Sequence, residues 1–123
     1  MKLHANPPSA SNVFTAYGEG YVVVNARRFE RTVVVLPENI WSEWEATSFE
    51  ALAEPHFEAL LALGREVILL GTGSRLRFPP PRLLRPLIDA GVGVEVMDVP
   101  AACRTYNILM AESRKVAAAL LLP

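Results

Sequence analysis

The chain has 123 residues, a formal net charge of −1 and one cysteine, Cys103, a size that fits a single domain with a sizeable core. One cysteine allows neither an intramolecular disulfide nor a cysteine-based zinc cluster, and a lone thiol fits a reducing compartment such as the cytoplasm. The near-neutral balance lacks the basic excess of a nucleic-acid binder, and the longest apolar run, Val116 to Leu122, is far shorter than the ~20 residues of a membrane span.

Residues 1–12 read as a loose arm or a strand-forming tail. Met1 to His4 is followed by Pro7-Pro8 without an apolar stretch or an arginine-rich amphipathic one, so no signal or transit peptide is expected. Val13 to Tyr17 is a weak strand before Gly18. The β-branched runs Tyr21–Val24 and Thr32–Leu36 favour strands, with Asn25 to Arg31 as the loop between them. The first 36 residues are thus expected to form an antiparallel meander. Trp41 and Trp44 fall in a stretch without clear periodicity, and fit either a sticky surface or a lid on the core.

Thr47-Ser48-Phe49-Glu50 has the spacing of a capping box with Thr47 as N-cap. Pro55 suits the first turn of a further helix. Phe57, Leu60 and Leu61 follow at helical spacing, and Gly64 stops it. Glu66 to Leu70 reads as a short buried strand that runs into Gly71-Thr72-Gly73. Pro79-Pro80-Pro81 bars a regular helix, after which Leu83, Leu84, Leu87 and Ile88 make one apolar helix face that ends at Gly91. Val92 to Met97 is the next strand, so Glu66 to Met97 forms a parallel βαβ unit. Asp98 caps a third helix with Pro100 in its first turn, running to about Ala111. Val116 to Leu122 suits either a helical extension, from its three alanines, or a central strand, from its unbroken apolar character.

The segments Val67-Ile68-Leu69-Leu70-Gly71-Thr72-Gly73, Gly91 to Asp98, and Ala101-Ala102-Cys103-Arg104-Thr105-Tyr106-Asn107-Ile108-Leu109, with Glu112, Arg114 and Val116 to Leu120, resemble the Mth-type domain family of uncertain function. That family includes the mitochondrial complex I assembly factor three and the adipogenesis-associated Mth domain-containing protein. The resemblance is specific from about Glu66 onward. It implies one α/β domain with a mixed sheet and flanking helices, and a strand at Val116 to Leu122. Ser113 departs from the glycine expected between Glu112 and Arg114, and a positive φ there would strain it.

Two stretches are candidate binding surfaces. Gly71-Thr72-Gly73-Ser74 leaves a strand with backbone N–H groups to present, as anion and phosphate loops do. Arg75, Arg77, Arg82 and Arg85 follow it, whereas Glu38 to Glu58 carries six glutamates and no Lys or Arg, an asymmetry that attracts anions to one rim. The bland alternative is a tight strand-exit turn beside solvated arginines. No P-loop lysine follows, and Leu76 stands where a dinucleotide fingerprint needs its third glycine.

The second stretch is Cys103, Arg104, Thr105 and Asn107. A cysteine near a helix N-terminus beside an arginine can be a nucleophile, but the two histidines, His4 and His56, are remote in sequence and His56 reads as a surface residue. A small buried apolar role for Cys103 is therefore favoured. Thr105 and Asn107 are poor mid-helix residues, which points to caps or function. Glu112 and Arg114 suit a pair with each other or with Arg104. Glu95 and Asp98 flank a strand end, either as acid–base groups or, for Asp98, as the helix cap.

The residues lead to two functions. The first, which the resemblance favours, is a non-enzymatic interaction or assembly factor with a protein partner, without cofactor or metal. The second is a small-ligand or anion-binding protein, or an enzyme acting on such a ligand, with a pocket at Gly71, Thr72, Gly73, Arg75, Arg104, Thr105 and Asn107. A shared concave pocket would favour the second, and an exposed apolar patch beside solid packing the first.

Overall fold

A computed structural model describes residues 11–122. The reading of residues 1–12 as an arm falls almost wholly outside the described residues, as does His4. The described chain builds two sheets and three helices. Strands β1 (Phe14–Gly18), β2 (Tyr21–Val24) and β3 (Arg27–Phe29) form a small antiparallel sheet. The registers Gly18↔Tyr21 and Val24↔Arg27 leave a two-residue turn at each bend, with Asn25 at φ 57°, a conformation asparagine tolerates.

The larger sheet contains β4 (Val33–Leu36), β5 (Asn39–Trp41), β6 (Val67–Gly71), β7 (Gly93–Met97) and β8 (Val116–Leu120), in the order β5-β4-β8-β6-β7. β7, β6 and β8 run parallel, and β4 pairs antiparallel with β8 and β5. This corrects the expected meander, because the run that includes β4 leaves the N-terminal strands. All four residues of β4 are buried. A strand with apolar residues on both faces needs both faces covered, and a place beside β8 provides that. The Asn25 to Arg31 loop also proves shorter than expected, since β3 lies inside it.

Helices α1 (Glu54–Leu61) and α2 (Pro81–Asp89) cover one face of the larger sheet. Phe57, Leu60, Leu83 and Leu87 pack there on Ile68, Leu70, Ala117 and Ala119. Helix α3 (Val99–Ala111) and the small sheet cover the other face, over Leu69 and Ala118. Alternate residues of β6 and β8 thus enter two cores, which is the period-two geometry of a strand buried on both sides. Burying each large side chain contributes roughly 1.5–3 kcal/mol. The strand at Val116 that the resemblance implied is present. Asp98 caps α3, its Oδ1 accepting from the Ala101 N–H at 2.8 Å.

No helix begins at Thr47. Ser48 instead closes a turn, its carbonyl and Oγ accepting from the Ala51 N–H at 3.2 and 3.1 Å. The Pro55 ring would clash with a helix carried through from that point, so the helix starts afresh at Glu54. His56 is half-buried rather than a plain surface residue. Its Nδ1 accepts from the Ala53 N–H at 3.0 Å and satisfies the α1 N-terminus. Trp44 is the core lid, with its indole N–H donating to the His56 carbonyl at 2.9 Å. No helix among the described residues is long and apolar enough to cross a membrane.

Candidate functional site

The chain leaves β6 for α2 on one face of the sheet and returns from β7 through α3 on the other face to β8. Helices that diverge in this way open a crevice at the carboxyl ends of the parallel strands, the usual binding place in open α/β sheets. Here it lies at the ends of β6 and β8. Gly71 closes β6 where the first turn of α3 packs close to the strand. A Cβ on Gly71 would lie 2.8 Å from Leu120 Cδ2 and 3.2 Å from Val99 Cγ2. Thr72, buried, locks the loop that follows. Its hydroxyl donates to the Arg75 carbonyl at 2.7 Å and accepts from the Arg77 N–H at 3.0 Å. Gly73 sits at φ +97°, a conformation suited to glycine, and its carbonyl accepts from the Val99 N–H at 2.8 Å.

The Gly73-Ser74 corner divides two clefts. One, of about 290 Å³, is walled by Gly18, Gly20, Val99 and Pro100. The other, of about 260 Å³, is walled by Thr47 to Glu50, Thr72, Arg75 and Arg77. Leu122 lines both. The glycine loop and the first turn of α3 therefore share a concavity, as do Gly73 and Arg75.

The other expected site residues lie elsewhere. Asn107 is turned to β1, where its Oδ1 accepts from the Phe14 N–H at 3.0 Å and its Nδ2 donates to the Phe14 carbonyl at 2.9 Å. Arg104 donates to the Tyr17 hydroxyl at 3.1 Å, a contact that raises its pKa. Thr105 is half-buried between them on α3. Cys103 is fully buried, and burial pushes its thiol up to about 12 against a smaller opposing pull from Arg104. It is thus a poor nucleophile, and His56, the described histidine, is committed to α1.

Sequence reasoning passed over Tyr106. Its hydroxyl donates to the Asn12 carbonyl at 2.9 Å, and its ring meets Phe14 edge-on at 5.1 Å. Tyr106 and Asn107 together form the joint between α3 and β1. A mid-helix asparagine was the one local sign of that joint.

A family model described as "Protein of unknown function (DUF498/DUF598)" matches residues 14–121. The chain belongs to this family. The crystal structure of a Bordetella parapertussis protein superposes with a TM-score of 0.86 at 44% identity, covering 95% of this chain and 100% of that one. The solution structure of a Bordetella pertussis protein described as a Mth938-like domain superposes with a TM-score of 0.80 at 38% identity, covering 99% and 92%. The Mth-type resemblance is thereby borne out. NADH dehydrogenase (ubiquinone) 1 alpha subcomplex assembly factor 3 of Bos taurus is 32% identical over 123 residues, 98% of this chain, and the chain spans 66% of that relative's length.

In this DUF498/DUF598 member the arginines have separate fates. The Arg77 guanidinium meets the Glu50 carboxylate at 2.6 Å and lies 4.0 Å over the Phe49 ring, and that hydrogen bond lowers the Glu50 pKa. Arg75, Arg82 and Arg85 are exposed. Arg114 pairs with neither Glu112 nor Arg104, because Glu66 takes its Nε at 2.8 Å and also accepts from the Lys115 N–H at 3.1 Å. These contacts lower the Glu66 pKa and fasten the turn before β8 to the start of β6. Of the two carboxylates that flank the end of β7, Asp98 caps α3 and Glu95 is exposed on the strand.

Proposed function

We propose that this chain is a non-enzymatic protein-interaction protein that helps assemble a larger complex, docking through the segment from Arg75 to Ile88. The carrying observation is exposure. Leu76, Phe78 and Ile88 are 48%, 71% and 58% exposed, and Arg75, Arg82 and Arg85 stand among them. No acidic residue occurs from Val67 to Ile88. Interfaces are anchored by aromatic and arginine side chains of this kind, and the fitting partner surface is apolar with acidic groups around it.

Further support comes from the sealed Cys103 thiol, which makes the weighed but disfavoured nucleophile role unavailable, and from the assembly-factor name of the bovine relative. An unpaired buried thiol suits a bacterial cytoplasm. The test is co-elution from native extract, with the tagged protein compared with Phe78→Ser and Arg85→Glu. Both substitutions lie on the exposed surface and leave the fold intact by circular dichroism on this reading. Wild type should carry a partner of defined stoichiometry that both variants lose. If the variants retain the same partner, the segment is not its dock.

A further inference from the structure

The crevice at the ends of β6 and β8 shares only Arg75 and Arg77 with the Arg75–Ile88 outer surface, and protein docking leaves the rest of it unexplained. We infer that it binds a small organic anion, a carboxylate or a phosphate monoester, whose apolar body lies against Val99, Pro100 and Leu122 and whose anionic group meets Arg75 across the Gly73-Ser74 corner.

The composition of the walls selects this class. The first cleft is floored by glycine backbone and apolar side chains, so it offers van der Waals contact and little else. Its one charged wall residue, Glu19, is exposed at the turn between β1 and β2 and repels a second anionic group, which favours a ligand charged at one end. The helix α3 N-terminus supplies nothing to an anion. Its Val99 N–H is held by Gly73, its Ala101 and Ala102 N–H groups by Asp98, and Pro100 has none.

Charge is available instead on the other side of Ser74. In the second cleft the Arg77 guanidinium is neutralised by Glu50, whereas Arg75 has no carboxylate partner among the described residues. The Gly73 and Ser74 N–H groups have no acceptor among the described residues. One uncompensated guanidinium lining the same cleft as two backbone donors is the donor set that an oxyanion takes. Thr72 holds this corner rigid through the Arg75 carbonyl and the Arg77 N–H, so the donors need little reorganisation on binding.

The test uses octanoate, octyl phosphate, octanol and inorganic phosphate as probes on ¹⁵N-labelled protein. Octanoate, octyl phosphate or both should shift the amides of Gly73, Ser74 and Leu122, and the stronger of the two identifies the headgroup. Arg75→Gln should weaken that binding by about tenfold, the loss of one charge-assisted hydrogen bond, without moving the melting temperature of the free protein. Ser74→Trp, which fills the corner shared by both clefts, should abolish it. Equal responses to octanoate and octanol would overturn the anionic recognition. A response to inorganic phosphate as strong as to octyl phosphate would overturn the apolar half. Silence of the corner amides with all four probes would overturn the site.

Discussion

Asn107 satisfies both hydrogen-bonding groups of Phe14, a residue 93 positions earlier, with its two amide atoms at 3.0 and 2.9 Å. A strand edge normally takes such bonds from another strand; here one side chain on a helix supplies them. Replacing Asn107 by Ala should cost about 2 kcal/mol, because it leaves partly buried donor and acceptor groups of β1 without partners. Asn107→Asp should be at least as harmful, since a carboxylate keeps the acceptor for the Phe14 N–H but opposes the Phe14 carbonyl. Urea unfolding of the three proteins checks both. An alanine variant as stable as wild type would show that β1 is held by its pairing with β2 and its packing on Tyr106, without need of the Asn107 bonds.

Gly71 should resist enlargement for steric reasons. Its φ is not in the left-handed region, so backbone strain plays no part. The added methyl would fall against Leu120 and Val99 inside a fully packed joint between β8 and α3. Overpacking of this kind typically costs 1–3 kcal/mol, and Gly71→Ala should lie within that range. Gly64→Ala is a useful contrast, for no heavy atom lies within 4 Å and only its φ of +68° opposes the change. Its cost should stay near 1 kcal/mol. Thermal unfolding of both variants separates crowding from backbone strain.

The elements legible in the sequence were those fixed by local rules. Phe57 and Leu60 announce α1, Asp98 and Pro100 announce α3, and the run before Gly71 announces β6, because period, cap and stop act within a few residues. The three-residue strands β3 and β5 were not legible, since Arg27–Phe29 and Asn39–Trp41 become strands only by pairing with stronger neighbours. The spacing at Thr47 satisfied a capping rule that Pro55 overrides. Gly73 and Arg75 were placed in one concavity by adjacency. Asn107 and Arg104 were misdirected for the opposite reason, because Phe14 and Tyr17, their partners, are 93 and 87 positions away, and no helical periodicity points there.

Ser113 occupies φ +63° between α3 and β8, so the strain expected from the missing glycine is present. A side chain in the left-handed region costs roughly 1–2 kcal/mol, while glycine returns part of that by loosening the unfolded chain. Ser113→Gly should therefore stabilise the protein by about 0.5–1 kcal/mol. A rise in the thermal midpoint checks this. An unchanged or lower midpoint would mean that the Ser113 side chain makes a stabilising interaction that outweighs its backbone.

Cys103 and Tyr106 should limit the protein at high pH. Burial keeps the Cys103 thiol protonated up to about 12 in the folded chain, against an ordinary value of 9.0. Between those values the unfolded chain releases a proton that the folded chain retains, so stability should be flat below about pH 9 and fall as pH rises toward 12. Tyr106, whose phenol is raised by burial from an ordinary 10.0, adds a loss of the same sign that starts later. Cys103→Ala should cost about 1 kcal/mol at neutral pH from the lost packing, and its alkaline decline should begin about one pH unit above that of wild type. Urea midpoints measured from pH 7 to 10.5 test the sign. Iodoacetamide labelling of the native protein at pH 8 tests the burial: it should be slow until denaturant is added, and rapid labelling would show that the thiol is reached without unfolding.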